Sequence, residues 1–208
     1  MLNDIYRLDM APDFQTFEFE SLGPKGRFLK VVQYTELEQK GFYNLGFGDK
    51  DPNTGLISDV TVTDNGDSKK MLSTVAATLY TFMIEFPDAI VVATGSTPAR
   101  TRLYQMGIAN NIETIKQDFT VWGLKKERKK AGKFFERMSA MMHFLFKNYK
   151  FISMKTKKSH IQDSPKGFDT DHSLSNNYAN DPFFKDKIEK ANHILNTVKL
   201  PAILKAKK

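Results

Sequence analysis

Apolar and polar residues alternate along the first third of the chain and give way to helical spacing after Asp64. Phe17 and Phe19 alternate with Thr16, Glu18 and Glu20, the period of a strand with one buried face. The same reading predicts strands over residues 5–10, 14–21, 27–34, 41–48 and 56–62. Leu22-Gly23-Pro24-Lys25-Gly26 supplies hairpin-turn chemistry, and Asp51-Pro52-Asn53-Thr54-Gly55 a loop. Residues 1–63 are therefore expected to form an antiparallel meander with an aromatic face.

Asp64-Asn65-Gly66-Asp67-Ser68 breaks the strand pattern, and Asp67 or Ser68 can cap a helix. Met71, Leu72, Val75, Leu79, Phe82, Met83 and Phe86 fall on one stripe and predict a core helix to about residue 85. Ala89-Ile90-Val91-Val92-Ala93 has the β-branched, apolar character of a central strand. Thr97-Pro98 opens a second helix, because Thr caps it and Pro sits where its missing N–H is not needed. That helix is expected to end near Gly107, followed by a short helix over 111–117 and a strand over 119–123.

Further on, Phe134, Phe135, Met138, Met141, Met142, Leu145 and Phe146 recur at helical spacing and predict an added amphipathic helix over 125–147. A closing strand is expected within 148–155. Residues 159–180 read as a polar linker, and 181–208 as a basic C-terminal helix. The predicted fold is α+β: a largely antiparallel meander sheet with packed helices over 1–124, plus a basic helical C-terminal extension.

Composition narrows the class. Apolar residues make up 40% of the 208, with 17 Phe, enough for a sizeable core. No apolar run is long enough for a membrane span. The absence of cysteine excludes disulfides and thiolate chemistry, and Met1-Leu2-Asn3-Asp4 does not begin a signal peptide, so a cytoplasmic protein is expected. The net charge of +7 is unevenly spread. Residues 1–118 carry 11 Lys+Arg against 16 Asp+Glu, whereas residues 119–208 carry 20 against 8. Residues 125–208 are thus expected to meet nucleic acid or an acidic partner.

Two helix starts are candidate anion sites, since the first turn of a helix presents unpaired N–H groups. One adds Lys69 and Lys70; the other adds Ser96, Thr97, Arg100 and Arg102, whose guanidinium groups suit phosphate. If the strands that lead into them are neighbours, the two converge. Salt bridges to the acidic body are the competing role for the arginines. Asp49, Asp51, Asp59, Asp64 and Asp67 lack metal-loop spacing and read as turn residues, so no metal is expected. All four histidines lie in the second part of the chain, which excludes a His-based triad in the body. Tyr104 is then the leading general acid and Tyr43 the second.

Asn44-Leu45-Gly46-Phe47-Gly48-Asp49, Asn65-Gly66-Asp67 and Gly95-Ser96-Thr97-Pro98-Ala99-Arg100-Thr101-Arg102-Leu103-Tyr104 together resemble a bacterial family built on a domain of unknown function. The resemblance covers 5–124 and 148–155 and implies a small cytoplasmic protein, with no activity attached. Residues 56–63, 65–70, the helix after them, 89–94 and Leu103-Tyr104 are also similar in order to GCN5-type N-acyltransferases. That similarity implies acetyl-coenzyme A held near Gly66–Lys69, with Tyr104 as general acid. Asn65-Gly66-Asp67-Ser68-Lys69-Lys70 departs from the glycine-rich signature by having one glycine and an acidic residue.

The leading expectation is a binding or effector protein for a phosphate-bearing ligand, nucleic acid included, with no resident cofactor. The alternatives are acyl transfer from acetyl-coenzyme A, and a partner-binding protein that uses the 134–146 stripe.

Overall fold

The structure is a computed structural model that describes residues 4–58, 65–95, 97–125, 141–148, 166–175, 178, 180–198, 200 and 204. The meander is present. β1 (Leu8–Met10), β2 (Thr16–Gly23), β3 (Gly26–Glu36) and β4 (Phe42–Lys50) pair antiparallel in sequence order. β5 (Ile57–Ser58) pairs antiparallel with the end of β4. The crossover helix α1 (Ser68–Glu85) then leads to β6 (Ile90–Thr94), which lies parallel to β4. α2 (Pro98–Asn110) and the one-turn α3 (Ile112–Ile115) lead to β7 (Phe119–Lys125). β8 (Met141–Asn148), β9 (Phe168–Thr170) and α4 (Pro182–Thr197) complete the described elements. The strand order is β7-β8-β6-β4-β3-β2-β1-β9, a mixed and mostly antiparallel sheet, so the fold is α+β.

The two faces of the sheet follow from side-chain alternation. Phe17, Phe19, Val32, Tyr34, Phe144 and Phe146 point to the face covered by α1 and α2, where Phe82 and Met83 of α1 are fully buried. Tyr34 stacks on Phe82 at 4.1 Å, the closest of several ring pairs that knit helix to sheet. On the opposite face, Ala191, Ile194 and Leu195 of α4 pack on Phe42, Ile90, Val92 and Leu145. Phe184 packs there on Val31 and Ile57.

Three expectations need correction. Residues 141–148, read as the end of an amphipathic helix, form β8. It slots between β6 and β7 and pairs with both, which satisfies its backbone on two edges. Its apolar run then splits with period two: Phe144 and Phe146 face α1, and Leu145 faces α4. The earlier part of that predicted helix and most of the 148–155 closing strand lie outside the described residues. The described part of the 159–180 linker is likewise built in. β9 pairs in parallel with β1, and Phe168, Leu174 and Tyr178 are buried. Finally, the helix expected within 181–208 is present but forms a layer of the fold, with even Lys187 only 7% exposed. Among the described residues, no helix is long and apolar enough to cross a membrane.

Candidate functional site

At the start of α1 the N-cap carboxylate is turned to the first strands and not to the helix's own N–H groups. Its N-cap residue, Asp67, makes no side-chain cap bond. Its carboxylate instead accepts from the Tyr6 hydroxyl at 2.8 Å and from Ser21 Oγ at 2.6 Å. Asn65 is buried and clamps the β2–β3 hairpin: its Oδ1 accepts from the Lys25 N–H at 3.0 Å, and its Nδ2 donates to Ser21 Oγ and the Gly26 carbonyl. The approach is close enough that a Cβ on Gly23 would lie 2.0 Å from the Asn65 carbonyl oxygen. The Asn65-Gly66-Asp67 motif thus anchors α1 to the first strands, and burial, with the Asp67 carboxylate, raises the Tyr6 pKa.

The lysines that follow are placed differently from each other. Lys70 is half-buried, lies 3.1 Å from Asp4 Oδ1 and sits 4.5 Å from the centroid of the Tyr6 ring. Lys69 is exposed. At α2, Thr97 Oγ1 accepts from the Arg100 N–H at 3.2 Å, as a cap should, with Pro98 in the first turn. Gly95 is required there, because a Cβ would come 2.4 Å from Thr101 Oγ1. Ser96 lies outside the described residues.

The described strands that lead into the two helix starts, β5 and β6, are not neighbours: each pairs with β4, β5 antiparallel and β6 parallel, and β6 ends just past Leu45, well short of the end of β4 at Lys50. Between α1 and α2, over this stretch, lies a cleft of about 900 Å³. Its α1 wall is Leu72, Val75, Ala76 and Leu79; its α2 wall is Leu103, Tyr104, Gly107 and Ile108. The floor is Leu45, Phe47, Ala93, Phe144 and Phe146 from the sheet. Asp4, Ser68, Lys69 and Lys70 line it at the start of α1. A recess of about 370 Å³, lined also by Tyr6, Gly66 and Asp67, shares Asp4 and the two lysines. The helices are close at Gly107, where a Cβ would come within 3.2 Å of Leu72 Cδ1.

The cleft therefore brings Lys69, Lys70 and Tyr104 together. It does not include Thr97, Arg100 or Arg102 among its lining. Arg102 is exposed, and the Thr97 hydroxyl is engaged as the α2 cap. Sequence reasoning missed Tyr80 at the far end of α1, which donates to Asp118 Oδ2 at 3.0 Å and packs edge-on against Phe119. Burial and the Asp118 carboxylate push its pKa well up. It lines the cleft with Leu72 and Val75, but its partner stands 38 positions away, beyond any local signal. Of the acidic set, Asp49 pairs with Lys30 and Asp51 accepts from the Asn53 and Thr54 N–H groups of its own turn. Asp59 and Asp64 lie outside the described residues. Of the 134–146 stripe, Leu145 and Phe146 are buried in the fold and offer no interface; nothing is described of the other stripe side chains.

Fold and cleft define an α+β protein with an apolar chamber set between two helices and cationic at one end. The chain belongs to the family of unknown function DUF6934, whose model matches residues 2–159. That match takes in 125–147, which the sequence suggested was an addition; residues from 160 onward, including β9 and α4, lie beyond it. No curated protein and no solved structure gives a significant match to the chain.

Proposed function

We propose that the cleft binds a phosphate-bearing ligand with an apolar arm, and that the ligand is an acyl-coenzyme A serving N-acyl transfer. The observation that carries this reading is that Lys69, Lys70 and Tyr104 line one cleft above the adjacent parallel strands β4 and β6. The lysines and the first turn of α1 suit phosphate, although Asp67 and Asp4 temper the local charge. The apolar walls suit the arm rather than a nucleic-acid strand, whose bases and phosphates need polar partners along their length. The lysine-rich clusters within 126–130, 155–158 and 205–208 lie outside the described residues and carry no weight here.

In this reading an amine nitrogen attacks the thioester carbonyl carbon, the C–N bond forms and the C–S bond breaks. Tyr104 gives its proton to the departing thiolate, and the proton lost by the amine returns to the phenolate through solvent. The test is calorimetric titration with coenzyme A and acetyl-coenzyme A, beside short RNA at low and high salt. Lys69→Ala should weaken coenzyme A binding about tenfold, as loss of one charge-assisted hydrogen bond does. Tyr104→Phe should keep binding and slow thiol release to an amine panel by about a hundredfold or more. Binding of RNA alone, lost at high salt, rejects this reading in favour of the nucleic-acid one.

A further inference from the structure

The size and lining of the cleft specify more than a coenzyme. Its volume of about 900 Å³ is on the order of thirty water molecules at ~30 Å³ each. The α1 wall alone, from Ser68 to Tyr80, extends about 18 Å at ~1.5 Å per residue. Away from the lysines its lining is largely Leu, Val, Ile, Ala, Met and Phe, with Ser73, Tyr104, Asn110 and Asn111 among them and Tyr80, Ile115 and Phe119 at the far end. A two-carbon acyl group would leave most of that surface against water. Nor is the space closed by the fold's own core, since Leu72, Val75 and Ala76 remain only half-buried on the helix that forms the wall.

We propose that the cleft accepts a long aliphatic acyl chain, so that the donor is a fatty acyl thioester with its phosphates at Lys69 and Lys70. This rests on the acyl-coenzyme A reading for the head group, but the chain-binding part rests on the apolar walls alone. Bond changes are those given for acyl transfer; only the acyl group is longer.

The experiment is calorimetry on the full chain with acetyl-, octanoyl- and palmitoyl-coenzyme A, free coenzyme A and free palmitate, each kept below its micelle concentration. Affinity should rise by up to fourfold for each methylene buried, and by at least a hundredfold between the acetyl and palmitoyl thioesters. Ala76→Phe, which fills the cleft from the α1 wall, should erase the chain-length dependence, so that the acetyl, octanoyl and palmitoyl thioesters bind within about threefold of one another. Equal affinity across the series overturns the fatty-chain proposal and leaves the coenzyme reading standing. Binding of palmitate with no binding of any coenzyme A species overturns the coenzyme reading and supports the chain site. No binding of any of them overturns both. The series on the unaltered protein decides the matter even if Ala76→Phe fails to fold.

Discussion

The two faces of one sheet are finished in opposite ways. On the α4 face, backbone and ring meet directly: a Cβ on Gly46 would lie 2.6 Å from Phe184 Cδ1, and one on Gly48 would lie 2.6 Å from Ile57 Cγ2 and 3.2 Å from Phe183 Cε1. On the α1–α2 face, Leu45 and Phe47 from the same strand line a cleft. One motif, Asn44-Leu45-Gly46-Phe47-Gly48-Asp49, therefore serves a sealed face with its small residues and an open face with its large ones. The sealing elements lie beyond the family match, whereas the cleft is built within it. The comparison teaches that the open face is where the family's common chemistry should be sought. The sealed face is covered by α4, which lies beyond the family match.

The largest effect should come from the seal. Phe184 is 2% exposed, lies edge-on to Phe183 and Tyr178, and covers Gly46. Phe184→Ala should cost about 3–5 kcal/mol in urea unfolding, the sum of lost transfer and an unfilled cavity. Leu72→Ala, on a half-buried residue of the cleft wall, should cost about 1 kcal/mol, because its side chain is already partly hydrated in the free protein. Equal losses at the two positions would erase the distinction between sealed and open faces.

A smaller effect, of like sign on both faces, is expected in alkali. Tyr178 on the α4 face is held neutral first by burial and then by its bond to Glu18, and Lys50 Nζ donates to its hydroxyl at 2.8 Å. Tyr34 on the other face is held neutral by burial alone, since its 3.0 Å bond with Thr78 acts the other way. Both folded pKa values lie above the unfolded value of about 10. Their contribution is thus complete below about pH 10 and is lost as pH rises from there toward the folded values, because the unfolded chain releases the protons first. Tyr178→Phe and Tyr34→Phe should each flatten the fall in stability measured above pH 10. At neutral pH, Tyr178→Phe should cost about 1–3 kcal/mol, because it strips a bond from a nearly buried carboxylate. Tyr34→Phe should cost about 1 kcal/mol, because Thr78 keeps its 2.8 Å bond to the Val75 carbonyl.

How much of this was legible in the sequence depends on the range of the cause. The strands 16–23 and 42–50, α1, and the Thr97-Pro98 start of α2 are written in local alternation, spacing and capping, and the chain obeys them. β8 was misread because Met141, Met142, Leu145 and Phe146 fit a helical stripe as well as a strand buried on both faces, and the deciding partners are β6 and β7. Asp67 was read as a cap because Ser21 and Tyr6, which take its carboxylate, stand 46 and 61 positions away. The cleft was half legible. Lys69, Lys70 and Tyr104 stood out by residue type, yet the apolar walls of the cleft look like ordinary core in one dimension.

The smallest effect sharpens the contrast most. Asn44 is 1% exposed, sits on the α4 face of β4 between Thr35 and Val92, and its Oδ1 has no hydrogen-bond partner among the described residues. A buried acceptor in that state already carries a desolvation cost, so replacing the side chain by an apolar one of similar shape removes the cost along with the group. Asn44→Leu should therefore change urea stability by less than about 1 kcal/mol, and in the stabilising direction if the added methyl groups fit beneath α4. A loss above about 2 kcal/mol would mean that a polar partner holds the amide. The sealed face would then contain a polar site of its own, and the contrast between a sealed face and an open one would fail at that position.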